Sequence, residues 1–131
     1  MKILLADDNF VSRKLTALLL EQIGDCRHVS NGVEAYEAFV KAYEDKEPYD
    51  LVCLDIMMPN MDGQETLKKI RAWEEERDIN IENGVKVIMI TSLDDKGSIL
   101  QAFKSGCESY IIKPVEKKKL LDAIHKLNLA V

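Results

Sequence analysis

Short apolar runs alternate along the chain with segments whose apolar residues recur at helical spacing. Residues 3–6, all apolar and without polar alternation, have the length of a buried strand. Behind them Val11, Leu15, Leu18 and Leu19 fall on a helical period, with Asn9 placed to cap the helix and Gly24 to stop it. A weaker strand over 26–30 leads into a helical segment over 33–44, where Val33, Tyr36, Val40 and Tyr43 share a face. Pro48 breaks the chain before 51–54, a second continuous apolar run. Asp62 and Glu65 have the spacing of a capping box, with Asp in place of Ser or Thr, ahead of a helix bearing Leu67 and Ile70.

The charged stretch 74–83 predicts an extension of that helix and a surface loop. Residues 85–90 predict a fourth strand, and 99–104 the heart of a fourth helix ended by Gly106. A fifth strand is expected at 110–112 and a last helix at 116–127, with Leu120, Ile124 and Leu127 on one face. Strands that are apolar on both sides suit a parallel sheet covered by helices on either face. Five such units in 131 residues predict an α/β, doubly wound, open five-stranded sheet with five helices, not an eight-fold barrel. No linker or further repeat is present, so residues 1–131 are expected to form one domain.

Composition narrows the function. A net charge of -5 argues against a general nucleic-acid or membrane-surface binder. No apolar stretch approaches the ~20 residues of a membrane span. The N-terminus is unlike a signal peptide, since Lys2 is followed by only four apolar residues before two acids. Cys26, Cys53 and Cys107 are scattered and odd in number, which suggests reduced thiols in the cytoplasm and no zinc ligand pair. His28 and His125 carry no motif, Met57, Met58 and Met61 suit loop packing, and Lys117, Lys118 and Lys119 suit a solvated helix start.

In an open parallel sheet the functional crevice lies beyond the carboxyl ends of the strands. The first strand ends at Asp7-Asp8, the third at Asp55, the fourth at Thr91-Ser92 and the fifth at Lys113-Pro114. Each alone has a plainer reading: a solvated strand end, a turn acid, a helix cap, a surface lysine. Together they place three carboxylates, a hydroxyl and an ammonium on one rim. Three clustered carboxylates need a cation, and hard oxygen ligands at an open rim suit Mg²⁺, which binds few carboxylates and keeps room for phosphate. Lys113 supplies a second charge, Thr91 a hydroxyl donor, and Asp55 a nucleophile free to attack phosphorus.

Asp7-Asp8, then Leu54-Asp55-Ile56-Met57-Met58-Pro59 with Asp62-Gly63, then Thr91-Ser92, Tyr110 and Lys113-Pro114 resemble the response-regulator receiver domain in order and spacing. The resemblance covers essentially the whole chain and is to the chemotaxis-regulator-like, single-domain kind. It implies a flavodoxin-like sheet of strand order 2-1-3-4-5. It further implies Asp55 as phosphoacceptor, and Asp8, Asp55 and the backbone carbonyl of Met57 as direct Mg²⁺ ligands. Asp7 would act through a metal-bound water, and Lys113, before a cis bond to Pro114, would pair with phosphoryl oxygens. Thr91 would bond the phosphoryl group, and Tyr110 would swing inward behind it.

The same resemblance implies a histidine kinase or histidine phosphotransfer protein upstream and an unknown protein target downstream, with no nucleic acid and no membrane. The output face would comprise 96–105, 110–112 and 116–127, on a monomer or weak phosphorylation-dependent dimer. The chain stops soon after the fifth helix, so a stand-alone regulator without an output domain is expected. It would catalyse only its own phosphorylation and slow hydrolysis. Met57 and Leu93, two positions beyond acceptor and hydroxyl, are apolar and predict a long-lived phosphoryl state.

Three other readings fit less well. A Mg²⁺-dependent phosphohydrolase with an aspartyl-phosphate intermediate would resemble the haloacid-dehalogenase-like class, which needs an acid where this chain has Met57. A flavin module would not set two carboxylates against a phosphate. A phosphorylation-independent docking module would have no need to keep every acid and the lysine.

Overall fold

In the computed structural model, which describes residues 1–92 and 97–129, the apolar runs at 51–54 and 87–90 lie side by side in the sheet. Leu51–Asp55 (β3) is buried throughout, and Lys86–Thr91 (β4) is buried except for Lys86. Lys2–Ala6 (β1), Asp25–Val29 (β2) and Ser109–Ile112 (β5) complete a parallel sheet of order β2-β1-β3-β4-β5. The helices between them are Phe10–Glu21 (α1), Gly32–Glu44 (α2), Gly63–Glu76 (α3), Gly97–Lys104 (α4) and Lys117–Lys126 (α5). This is the expected doubly wound α/β architecture, with the flavodoxin-like strand order.

Alternate strand positions face opposite sides, so the sheet feeds two cores. Leu4, Val52, Leu54, Val87 and Met89 pack against Phe39, Ile70 and Trp73 of α2 and α3. Ile3, Leu5, Cys53, Ile88 and Ile90 pack against Ala17, Leu20, Leu120 and Ile124 of α1 and α5. Trp73 sits in an aromatic group with Phe39 and Tyr43, at ring-centroid distances of 5.4 and 4.8 Å.

The caps predicted at Asn9 and Asp62 form, and Asn31, not singled out above, caps α2 in the same way: each side chain accepts the backbone N–H three residues on, at 2.9 Å. Gly24 ends the turn after α1, where a Cβ would lie 2.4 Å from the Met1 carbonyl oxygen.

The buried face of α1 differs from the one expected. Val11, Leu15 and Leu18 are about three-fifths exposed, while Thr16, Ala17 and Leu20 are buried. The small Ala17 lets the helix approach the sheet closely, so the larger residues are left on the outer surface. In α2 likewise Ala35, Ala38, Phe39 and Ala42 form the buried stripe, Tyr36, Val40 and Tyr43 flank it, and Val33 is exposed.

A buried ionic network, invisible in the sequence pattern, ties α3 to the entry ends of β4 and β5. Arg71 bonds Glu74 at 2.7 Å, Glu108 at 2.9 Å and the Gly106 carbonyl at 2.8 Å. The two carboxylates accept the Val85 and Val87 N–H groups at 2.8 and 2.7 Å. Leu93 and Lys96, named above for phosphoryl lifetime and output, lie outside the described residues.

Candidate functional site

The ends of three strands open onto one cleft. Asp7 directly follows β1 and is fully buried, Asp8 is exposed, and Asp55 ends β3 at 5% exposure. One carboxylate oxygen from each lies within 4.8 Å of the others. β5 adds Lys113, whose bond to Pro114 is cis as expected. Its Nζ donates to Asp55 Oδ2 at 2.7 Å and stands 3.3 Å from Asp7 Oδ2. The two acids are also held by the backbone: Asn9 N–H donates to Asp7 Oδ1 at 2.9 Å and Met57 N–H to Asp55 Oδ1 at 3.2 Å.

The electrostatics separate the acids into two kinds. Burial pushes the Asp55 carboxyl up to about 6, the Lys113 contact opposes that rise, and the neighbouring Asp7 adds to it. Burial also works against ionised Asp7, but the nearby Ser12 hydroxyl, the Asn9 N–H and Lys113 hold its pKa below the ordinary value. Lys113 loses solvation, and its pKa nonetheless rises because Asp55 and Asp7 face it.

Asp7 Oδ2 is buried and accepts no hydrogen bond among the described residues; its ion-pair contact with Lys113 at 3.3 Å leaves it room for a further ligand. Three carboxylates against one ammonium leave a local excess of two negative charges. The cluster therefore fits a hard divalent cation with oxygen ligands.

Asp8, Asn9, Phe10, Asp55, Met57, Ser92 and Lys113 line an open cleft of about 570 Å³. Phe10 had no role in the sequence reading, yet it lines the cleft with 63% exposure, as does Met57 with 68%. Arg13 was also missed. It donates to the Asp7 carbonyl at 3.0 Å, and its guanidinium lies 5.6 Å from the Phe10 ring centroid. The only available signal was position: both belong to the first turn after the acids.

Thr91 ends β4 at 1% exposure and donates to the Ser92 carbonyl at 3.3 Å. Its own carbonyl accepts Lys113 N–H at 2.7 Å, which joins the ends of β4 and β5. Tyr110 is not behind Thr91 here. It is 41% exposed, with its ring edge-on to Phe103 at 6.0 Å.

The sequence profile of the response regulator receiver domain matches residues 3–125. The chain is 35% identical to the chemotaxis protein CheY of Halobacterium salinarum, over 94% of this chain and 92% of that one. A receiver-domain crystal structure from Clostridium thermocellum superposes with a TM-score of 0.80 at 28% identity, covering 97% of this chain and 94% of that one. The receiver domain of the histidine kinase CKI1 from Arabidopsis thaliana, solved with Mg²⁺ and BeF₃⁻, shares the fold. Its TM-score is 0.82 at 22% identity, over 97% and 89% of the two chains.

Proposed function

This chain belongs to the response regulator receiver domain family, and from that premise we propose that it is a phosphoacceptor switch acting through Asp55. A histidine kinase or histidine phosphotransfer protein is the donor. The observation that carries the assignment is the pairing of a 5% exposed carboxylate with Lys113 at 2.7 Å, beside two further acids at one cleft.

Asp8 and Asp55, with the Met57 carbonyl, would hold Mg²⁺ directly, and Asp7 through a water. Bound there, the ion would offset the charge of an incoming phosphoryl group. An Asp55 oxygen attacks phosphorus while the bond from phosphorus to the donor imidazole nitrogen breaks, and that nitrogen keeps the electron pair. With its pKa at about 6, Asp55 is ionised at neutral pH, and burial leaves its charge poorly solvated. Both properties favour a nucleophile. Lys113 then holds a phosphoryl oxygen by a charge-assisted bond.

The new charge acts on Thr91, whose hydroxyl turns from the Ser92 carbonyl to a phosphoryl oxygen, and Tyr110 leaves Phe103 to fill the space behind it. Output passes to a protein target over α4, β5 and α5, where Leu100, Phe103 and Tyr110 are exposed. The donor docks over α1, whose outer surface shows Phe10, Val11, Leu15 and Leu18 beside the Lys113-Pro114 segment.

The chemistry is confined to the chain's own aspartate, so the protein is a switch and not an enzyme with turnover. A thioether at position 57 cannot act as a general acid, which weighs against the phosphohydrolase reading. The scattered thiols fit a cytoplasmic setting, and among the described residues no helix is long and apolar enough to cross a membrane. A monomer or weak phosphorylation-dependent dimer, without nucleic acid, fits this role.

Intact-mass analysis after incubation with acetyl phosphate, with and without Mg²⁺, tests the assignment. A Mg²⁺-dependent gain of one phosphoryl group is expected in the wild type and not in Asp55→Asn. No gain in the wild type, or the same gain in the variant, would overturn it.

A further inference from the structure

One buried polar side chain takes no part in the phosphoryl chemistry. Gln64, the second residue of α3, is 7% exposed. Its Nε2 donates to the Ser98 carbonyl, in the first turn of α4, at 2.7 Å. Its Oε1 is buried and accepts no hydrogen bond among the described residues. A half-satisfied amide in a core is costly, and an apolar residue of similar volume would avoid that cost. The amide makes physical sense as one of two bonding states.

The residue before it rests on the acceptor loop. Gly63 N–H donates to the Ile56 carbonyl at 2.9 Å. A Cβ at Gly63 would lie 2.4 Å from the Asp55 carbonyl oxygen and 2.9 Å from Ile56 Cα. The start of α3 therefore sits directly against the peptide leaving Asp55, and a shift of that peptide moves Gln64. At its other end the amide grips the helix that carries the exposed Leu100 and Phe103. This route from Asp55 to α4 passes through neither Thr91 nor Tyr110.

We propose that Gln64 is a positioning residue that couples Asp55 to α4. In the unphosphorylated protein its bond to the Ser98 carbonyl fixes the first turn of α4. Phosphorylation displaces the start of α3 and breaks the bond. The inference rests on the phosphoacceptor assignment above.

Hydrogen exchange of the α4 amides (97–104) in wild type and Gln64→Leu, each with and without acetyl phosphate and Mg²⁺, tests it. Phosphoryl occupancy is read by intact mass in the same samples. Before phosphorylation, α4 is expected to exchange roughly 3- to 10-fold faster in the variant, the effect of one lost hydrogen bond. Phosphorylation is expected to speed α4 exchange by a similar factor in the wild type and to leave the variant unchanged at equal occupancy. An equal phosphorylation response in both proteins, or none in the wild type, overturns the coupling and leaves the acceptor assignment standing. A purely structural Gln64 would give that first result with lowered global stability. Absence of phosphoryl uptake by the wild type overturns both. Gln64→Met is the second variant if Gln64→Leu does not fold, with the same outcomes.

Discussion

Lys113 Nζ lies 2.7 Å from Asp55 Oδ2 across 58 positions of sequence, where the end of β5 meets the end of β3. The contact does not fully offset the burial of Asp55, whose pKa stands at about 6 against an ordinary 3.8. An acid with a raised folded-state pKa binds more protons in the native than in the unfolded protein between those values. Stability therefore falls as pH rises from about 4 to about 6, and ionised Asp55 is a net cost above that window. Asp55→Asn is expected to be more stable than wild type at pH 7, in chelator-containing buffer, by about 1–3 kcal/mol. The gain should fade toward pH 4. Lys113 loses one partner in the variant but keeps Asp7 at 3.3 Å, so that loss is the smaller effect. Urea unfolding from pH 4 to 8 checks this, and an Asn variant less stable at pH 7 would refute it.

The acidic cluster makes a second prediction about metal. Mg²⁺ at tenfold over its dissociation constant should stabilise the fold by about 1.4 kcal/mol, roughly 4 °C in Tm. Asp8 is exposed and its carboxylate faces the cleft. Asp8→Asn should therefore leave the Tm in chelator nearly unchanged and remove most of the Mg²⁺ shift. A thermal-shift titration with both proteins decides it; an undiminished shift in Asp8→Asn would place the metal elsewhere.

Arg71 is the sole cation among the described residues paired with Glu74 or Glu108, and Glu74 is 1% exposed. Removing it strands two carboxylates that also hold the Val85 and Val87 N–H groups. Arg71→Met is expected to cost about 3–5 kcal/mol, as for other broken buried pairs. By contrast, removing the solvated Lys41–Asp45 pair should cost less than about 0.5 kcal/mol. Equilibrium urea denaturation separates the two cases. A loss under about 1 kcal/mol in Arg71→Met would mean that the network relaxes without its cation.

The parallel sheet and the meeting of Asp7, Asp8, Asp55 and Lys113 were legible because unalternated apolar runs imply such a sheet, which gathers its strand ends; the strand order followed only from the resemblance to the receiver domain. The α1 surface was not legible. Leu15 and Leu18 are more apolar than Thr16 and Ala17, yet close approach to the sheet selects the smaller side chains. The Arg71 network was hidden because its partners lie as far as 37 positions away and Glu74 sits in a stretch that reads as charged surface. From the observed burial, Leu15→Gln and Leu18→Gln should change stability by less than about 0.5–1 kcal/mol, and Leu20→Ala should cost about 2–5. The two Gln variants should also slow phosphotransfer from a protein donor while uptake from acetyl phosphate stays as in wild type. Loss of both activities would mean that the outer leucines act on the site itself and not on docking.

The lifetime of the phosphoryl group depends on what can hold a water beside it. Met57 lines the cleft, is 68% exposed, and donates its N–H to Asp55 Oδ1 at 3.2 Å. A thioether is a weak acceptor and no donor, so it cannot orient a water for attack on phosphorus. An asparagine at the same place offers both, without taking a proton. Its effect should therefore fall below the ~10²–10⁴-fold of a positioned general base, at roughly 10-fold. The wild-type phosphoprotein is expected to persist for minutes or longer after removal of donor, and Met57→Asn to decay roughly tenfold faster at the same Mg²⁺ concentration. Decay followed by intact mass reads both rates. A wild-type half-life of seconds would mean that water reaches phosphorus without help from position 57, and equal rates in the two proteins would assign the control to another wall of the cleft.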